Sequence, residues 1–120
     1  MSDQPAAPED LSAEDAKLVT LARATRARAR AVEGAAVRDL DGRTYAAASV
    51  RLEHLSLTAL EVCVAMALSS GSTGLEAAVV LTDGDVPDLA AAGDFAGPDV
   101  PVLVGDPQGR IHTREATRTD

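Results

Sequence analysis

The chain has 120 residues, of which 46% are hydrophobic, and carries a formal net charge of −8 at pH 7. This length suits one domain, and the acidic balance argues against a nucleic acid or an acidic membrane as a partner held by bulk electrostatics. No apolar leader or long apolar span is visible, and the single cysteine, Cys63, can form no internal disulfide. These features predict a cytoplasmic protein without a membrane segment.

The first predicted helix follows an irregular N-terminal segment. Residues 1–11 combine Pro, Ala and acidic residues without periodicity, which predicts disorder,. Ser12 has the position of a helix N-cap. The apolar residues after it recur at helical spacing and form one narrow stripe: Leu18, Leu21, Ala22 and Ala29. The last turns are rich in arginine, which the negative end of the helix dipole favours.

A β-hairpin and then a central helix are predicted next. The hairpin runs from Gly34 to Val50 around an Asp-Gly dipeptide, which supplies the positive φ of a tight turn,. The segment Leu57–Leu68 is apolar around its whole circumference except at Thr58 and Glu61, which have the spacing of a capping box,. A helix that is apolar on all sides needs protein against more than one side.

Two buried strands, with a short helix between them, are predicted in the second half. Continuous apolar runs indicate the strands, at Ala77–Leu81 and Val100–Val104,. The helix is expected to begin with Asp85 as N-cap and to end at Gly93. A short edge strand, Arg110–Thr113, is expected to complete the sheet.

The order of these elements is helix, hairpin, helix, strand, helix, strand, strand. Two buried strands joined through a helix imply parallel pairing, with helices on both faces of the sheet. We therefore predict an α/β fold: a three-layer α/β/α sandwich with a mixed sheet of about five strands, a β-hairpin and a buried central helix. One domain is expected over residues 12–113, with a polar tail over 114–120.

This order, with an Asp-Gly hairpin that leads into a buried helix, resembles the cytidine deaminase family from about Leu18 to Ile111. In that family the central helix opens with Cys-Ala-Glu or His-Ala-Glu, and the next helix opens with Pro-Cys-x-x-Cys. The resemblance implies a zinc ion on those Cys and His side chains, which activates a water, and a glutamate that moves protons to the leaving amine.

The zinc ligands of the family are missing from the matched positions. Placing Glu61 on the family's glutamate puts Ala59 on the first zinc ligand. Pro87 matches the family's proline, which puts Asp88 and Ala91 on the two cysteines. The resemblance is therefore to a degenerate member, for which we expect no zinc and no other cofactor. Glu61 is either a relic of the proton shuttle or simply the helix cap, and the capping box favours the cap.

The substrate residues of the family are missing as well. Its Asn-x-Glu, which holds the nucleoside sugar, falls on Ala48 and Val50, so the residues that would bind a substrate are unknown. His54 and His112 are expected at the surface, since neither has a second metal ligand at helical spacing. Cys63 is expected to be a small core residue rather than a nucleophile.

The arginines of the first helix are a further candidate site: Arg23, Arg26, Arg28 and Arg30. They could bind phosphates of a nucleotide or an RNA, or an acidic partner. The alternative is a solvated face that also complements the helix dipole, and this interpretation is favoured because solvent-exposed charges cost little.

From the sequence, two functions of different classes remain open. The favoured one is a non-catalytic binding or scaffold protein that forms a homo-dimer or homo-tetramer through the Leu57–Leu68 helix, or that binds another protein. Ala59, Cys63 and Ala67 are expected to let two such helices approach closely. The alternative is a hydrolase, a (deoxy)cytidine or related nucleoside deaminase with an atypical active site. One cysteine cannot supply the two thiolates of the family, which favours the first function.

Overall fold

The computed structural model describes residues 11–118, whose longer strands form one mixed sheet with helices on both faces. The elements in chain order are α1 (Ala13–Ala29), β1 (Glu33–Asp39), β2 (Thr44–Ala48), β3 (Val50–Arg51), β4 (Ser56–Leu57), α2 (Ala59–Ser69), β5 (Leu75–Thr82), α3 (Ala90–Ala96), β6 (Pro101–Gly105) and β7 (Ile111–Ala116). α1 packs on one face, and α2 and α3 pack on the other. The predicted fold class is confirmed. The disorder expected at the N-terminus concerns residues that, apart from Leu11, lie outside the described range.

The sheet has the strand order β2-β1-β5-β6-β7, in which β5 and β6 are parallel and the other neighbouring pairs are antiparallel. Residues of β5 alternate between the faces: Ala78 and Val80 pack with α2, whereas Ala77, Val79 and Leu81 pack with α1. The strand is therefore buried on both faces, as its continuous apolar run predicts. β3 and β4 form a separate two-stranded ladder that was not predicted.

α1 begins as predicted but buries a different stripe. The Ser12 side chain accepts a hydrogen bond from the Asp15 amide at 3.0 Å, which caps the first turn,. The buried residues of the helix are Leu18, Val19 and Ala22. Ala29 is exposed, so the predicted stripe was wrong at its last member. The helix ends there because Arg30 takes a left-handed backbone conformation with φ of 54°.

α2 lies on the sheet through its small residues. Ala59, Cys63 and Ala67 are all fully buried against the strands, where Ala35 and Ala78 belong to the same core cluster. The prediction that these three residues face a second helix was therefore wrong. Their small side chains pack closely on the alanine-rich sheet instead. No helix within residues 11–118 has the length and apolar character needed to cross a membrane.

α3 lies later in the chain than predicted: it runs from Ala90 to Ala96, whereas the sequence predicted a helix from Asp85 as N-cap to Gly93. The Asp88 Oδ1 accepts from the Ala90 amide at 2.9 Å, and the Thr82 Oγ1 accepts from the Gly84 amide at 3.0 Å. Aspartate and threonine side chains of this kind stabilise turns in competition with a helix. The acidic segment before α3 is therefore a loop.

The last strand is longer than predicted. β7 continues to Ala116, beyond the expected end at Thr113. Thr117 is 2% exposed, and its Oγ1 donates to the Gly97 carbonyl at 2.7 Å while accepting from the Val100 amide at 3.0 Å. Residues 114–117 therefore belong to the packed domain, and the expected boundary of the polar tail at residue 114 was too early.

An ion-pair network joins α1 to the sheet. Arg38 of β1 donates to Asp15 of α1 at 3.1 Å and also to Glu76 of β5. Burial works against the charge of Arg38, but the hydrogen bonds to both carboxylates outweigh it and raise the pKa of the guanidinium,. The network fixes the N-terminal half of α1 over the centre of the sheet.

A buried polar cluster closes the end of β1. Asp39 is 1% exposed, and its Oδ2 accepts from the Ser72 hydroxyl at 2.5 Å and from the Tyr45 hydroxyl at 3.3 Å. Its Oδ1 accepts from the amides of Asp41 and Arg43, both at 2.9 Å. The Ser72 hydrogen bond is the main cause of a lowered Asp39 pKa, the backbone amides add to it, and burial opposes it,. This carboxylate therefore organises the hairpin turn and ties it to the loop after α2.

Candidate functional site

The N-terminus of α2 is capped by side chains of its own first turn. Thr58 has an extended backbone, with φ of −71° and ψ of 161°, and its Oγ1 accepts from the Glu61 amide at 3.1 Å. The Glu61 Oε1 accepts from the Thr58 amide at 2.9 Å, which completes the predicted capping box,. Glu61 thus has a structural role at the start of this helix.

A second carboxylate reaches the same helix end from β1. The Glu33 Oε1 accepts from the Ala59 amide at 3.3 Å. Ser49 fixes the Glu33 backbone, since its Oγ accepts from the Glu33 amide at 3.3 Å and its amide donates to the Glu33 carbonyl at 3.1 Å. The positive end of the α2 dipole therefore faces two carboxylates of the chain itself.

A cleft of about 360 Å³ lies against this helix end, and we call it the α2 cleft. Its wall consists of Arg30, Ala31, Val32, Glu33, Ser49, Val50, Arg51, Ser56, Leu57, Thr58 and Glu61. The wall carries both signs of charge, from two guanidinium groups and two carboxylates. Each of those carboxylates already has one oxygen bonded to a helix amide, so the helix end is no longer free to bind an external anion.

The positions matched to zinc ligands do not form a zinc site. Ala59 and Ala91 end in methyl groups, and the exposed Asp88 has its Oδ1 bonded to the Ala90 amide. Zinc in proteins takes three or four nitrogen, sulfur or oxygen ligands, whereas this set contains one carboxylate. Within residues 11–118, no group of three or more His, Cys, Asp and Glu side chains is arranged to hold a metal. The residues present do not fit the zinc ion of the resembled family.

The two positions matched to the sugar-binding residues separate in the structure. Val50 lines the α2 cleft, whereas Ala48 pairs with Gly34 inside the sheet and is not part of the wall. Sequence reasoning missed Glu33 and Arg51, which do line the cleft. A charged residue directly before an apolar strand was the available signal for Glu33, but its contact with a helix 26 residues away is set by tertiary packing.

The three arginines of the last turns of α1 and Arg30, which follows the helix, do not form one binding face. The Arg23 Nη1 donates to the Gln108 carbonyl at 3.4 Å, and the Arg26 Nη1 donates to the Ala31 carbonyl at 3.0 Å. Arg28 is exposed, and Arg30 lines the α2 cleft. The four guanidinium groups therefore lie in different environments. This supports the interpretation that they do not form a continuous surface for a polyanion.

The remaining candidates lie where the sequence placed them. His54 and His112 are exposed. Cys63 is fully buried, its Sγ lies 3.6 Å from the Tyr45 carbonyl oxygen, and burial raises the pKa of its thiol to about 12. A thiol with this pKa is almost entirely protonated at neutral pH and is a poor nucleophile. The prediction that Cys63 is a core residue is confirmed.

α2 keeps apolar surface on the side that faces away from the sheet. Val62 and Met66 are half-buried at the margin of the core, Ala65 is exposed, and Leu68 is 59% exposed. We call these four residues the outer face of α2. The sheet and α3 therefore cover only part of the circumference, as the apolar sequence of this helix led us to expect.

Comparison with known proteins agrees with this architecture. A family model described as "Cytidine deaminase-like" matches residues 11–109. Two crystal structures share the fold at 20% sequence identity. Cytidine deaminase from Mycobacterium leprae has a TM-score of 0.66, with 88% of this chain and 94% of that chain covered. Cytidine deaminase from Burkholderia pseudomallei has a TM-score of 0.68, with 90% of this chain and 93% of that chain covered. No curated protein matches the chain. Similarity at this level establishes the fold and leaves activity to the residues of the site.

Proposed function

We propose that this chain, which belongs to the cytidine deaminase-like family, is a non-catalytic member that acts as a binding or scaffold protein through self-association. The observation that carries the proposal is the state of the α2 N-terminus. The amides of Thr58 and Ala59 there are bonded to Glu61 and Glu33. A protein that uses this helix end for internal capping has no need to keep it open for a metal or a substrate.

The donor set supports the same conclusion. Ala59 and Ala91 offer no lone pair, and Asp88 already stabilises the loop before α3. A carboxylate alone binds zinc weakly compared with two thiolates and a third ligand. Glu61 is retained, but a proton shuttle without an activated water has no reaction to serve.

The outer face of α2 supports self-association. Leu68 and Ala65 are exposed beside the half-buried Val62 and Met66, so a contiguous apolar strip lies on an otherwise acidic protein. Apolar strips of this kind are typical of protein interfaces. Two copies related by a two-fold axis would bury the same residues of both chains.

Metal content and deaminase activity test the non-catalytic part of the proposal. We expect purified protein to contain far less than one zinc per chain after dialysis, and to release no ammonia from cytidine or deoxycytidine above the rate of a blank. A zinc-containing cytidine deaminase assayed in parallel serves as the positive control. Turnover that Glu61→Gln abolishes would instead support the alternative function, a nucleoside deaminase with an atypical active site.

The oligomeric state tests the scaffold part. Light scattering at tens of micromolar should give a mass above the 12.3 kDa of one chain. Ala65→Glu should return the mass to one chain, because a carboxylate buried without a partner costs several kcal/mol and weakens association by roughly a hundredfold or more. Ala65 is exposed in the single chain, so this variant should stay folded.

Arg43→Glu is the matched control, because Arg43 is exposed in the hairpin turn and is remote in sequence from α2. It should leave the mass unchanged. Val62→Glu and Met66→Glu should also dissociate the protein, but both residues touch the core, so circular dichroism must separate dissociation from unfolding. A monomeric wild-type protein would contradict the proposal.

A further inference from the structure

The chain continues differently after the two parallel strands: β5 is followed by a loop to α3, and β6 by a tight turn into β7. After Thr82, the chain continues to α3, whose Ala92 packs in the core cluster of α2. After Gly105, the chain turns towards α1, where the Gln108 carbonyl accepts from Arg23 at 3.4 Å. The loop after β5 and the turn between β6 and β7 thus lie side by side at the carboxyl ends of the two parallel strands, where a ligand could contact both.

A crevice of about 500 Å³ is present at this position, and we call it the carboxyl-edge crevice. Its polar residues come from α1, β1, the end of β5 and the turn after β6, and they are Arg26, Glu33, Thr82, Asp83 and Gln108. Val32 and Pro107 contribute apolar walls. Val32 is 69% exposed, which leaves an apolar surface in the crevice open to a ligand. The dimensions suit a small organic molecule rather than a polymer.

Arg26 is held rigidly in this crevice. Its helix packs closely on β1 at Gly34, where an added Cβ would lie 2.6 Å from the Arg26 Cβ and 2.4 Å from the Ala22 carbonyl oxygen. The Arg26 Nη1 donates to the Ala31 carbonyl, and its Nε is buried without a hydrogen-bond partner within residues 11–118. The guanidinium is therefore fixed at one nitrogen, and its Nη2 makes no hydrogen bond with the part of the chain described.

From this arrangement we infer that the carboxyl-edge crevice binds a small organic phosphate that carries free hydroxyl groups. Arg26 donates to the phosphate oxygens, for which a planar guanidinium is well suited. The exposed carboxylate of Asp83 accepts from the hydroxyl groups, and Val32 packs against the carbon skeleton. The protein is acidic overall, and Glu33 also lines the crevice, but its Oε1 accepts from the Ala59 amide of α2. The positioned guanidinium of Arg26 is therefore the group that makes an anion favourable here.

Ribose 5-phosphate is the probe, with ribose and inorganic phosphate as its two halves, measured by titration calorimetry on the full chain. Ribose 5-phosphate should bind more tightly than either half. Arg26→Gln should weaken its binding by about tenfold or more, whereas Arg28→Gln, the same charge change at an exposed residue of the same helix, should change it by less than about twofold.

Asp83→Asn keeps the test decisive if Arg26→Gln fails to fold. Asp83 is exposed, so this variant should fold normally. It should weaken the binding of ribose 5-phosphate and leave the binding of inorganic phosphate as strong or slightly stronger, because it replaces a charged acceptor of hydroxyl groups by a weaker neutral one and removes a repelling charge. The inference is overturned if none of the three probes binds at about 10 mM. Equal losses in the Arg26 and Arg28 variants overturn it as well, because they would indicate bulk electrostatics.

Discussion

The two ends of β1 carry carboxylates in opposite situations. Asp39, at the closed end, is almost fully buried and accepts four hydrogen bonds, from two hydroxyls and two backbone amides. Glu33, at the open end, accepts from one amide of α2 and lines both the α2 cleft and the carboxyl-edge crevice. One strand therefore delivers a structural carboxylate to one edge of the sheet and a carboxylate with spare acceptor capacity to the other.

The two ends of β1 are suited to different roles, one to stability and the other to binding. Polar groups that are buried and fully bonded cannot rearrange without loss, so the closed end fixes the hairpin and the loop after α2. Polar groups at a cleft keep water within reach, so they can exchange it for a ligand. We expect mutations at the closed end to change stability strongly, and mutations at the open end to change it little.

Ser72→Ala should have the largest effect in this comparison. It removes a hydrogen bond to a buried carboxylate, which is worth about 2 kcal/mol of unfolding free energy. Urea denaturation followed by circular dichroism measures the loss. Thr73→Ala, at the exposed neighbour, is the control and should stay within about 0.5 kcal/mol of wild type,. Equal losses of unfolding free energy in the two variants would contradict a structural role for the Ser72–Asp39 hydrogen bond.

Lowering the pH should also destabilise the protein through Asp39 at the closed end of β1. The pKa of Asp39 is lowered in the folded protein from its ordinary value of 3.8, so the unfolded chain takes up a proton first as the pH falls. The stability from this group is present above that value and is lost as the pH drops below it towards the folded pKa. Urea midpoints measured from about pH 6 to about pH 3 should fall less steeply in Asp39→Asn than in wild type. Parallel pH curves would show that another group controls the acid transition.

Thr58→Ala should cost about 1 kcal/mol, because it removes the side-chain cap of α2. The same urea titration measures it. Ser56→Ala lies in the same cleft at an exposed position without a capping role and should have no measurable effect. A loss near that of Ser72→Ala would mean that the open end is as rigid as the closed one.

Glu33→Gln should have the smallest effect, about 0.5 kcal/mol, since it removes one charge from a helix N-terminus while the amide oxygen can still accept from Ala59. The loss should shrink when salt is added, because the interaction is with a helix dipole near solvent. A loss that salt leaves unchanged would place Glu33 among the structural carboxylates.

The elements that the sequence predicted correctly depend on neighbours along the chain. The capping box joins Thr58 to Glu61, the hairpin turn needs only an Asp-Gly dipeptide, and β5 is a continuous apolar run. The start of α3 was predicted wrongly because the Asp88 side chain forms a turn with Ala90, and composition alone does not separate that turn from a helix cap,.

The candidate site was less predictable because its contacts are distant in the chain. Glu33 and Ala59 meet across 26 residues, and Asp39 and Ser72 meet across 33. The sequence also did not predict which way the small residues of α2 face. A helix that is apolar on all sides has no polar face to show which side packs on the sheet. The lack of a ligand atom at Ala59 and Ala91 could be read directly, since an alanine side chain offers none whatever the fold,.

Cys63 gives this protein a built-in reporter of its own opening. It is the chain's single thiol, it lies between α2 and the hairpin, and burial raises its pKa to about 12. A thiol reagent can modify it only when α2 lifts from the sheet, so the labelling rate at low denaturant measures the free energy of that local opening. No engineered label is required. The same labelling rate also shows whether a ligand or self-association stabilises the packing of α2 on the sheet.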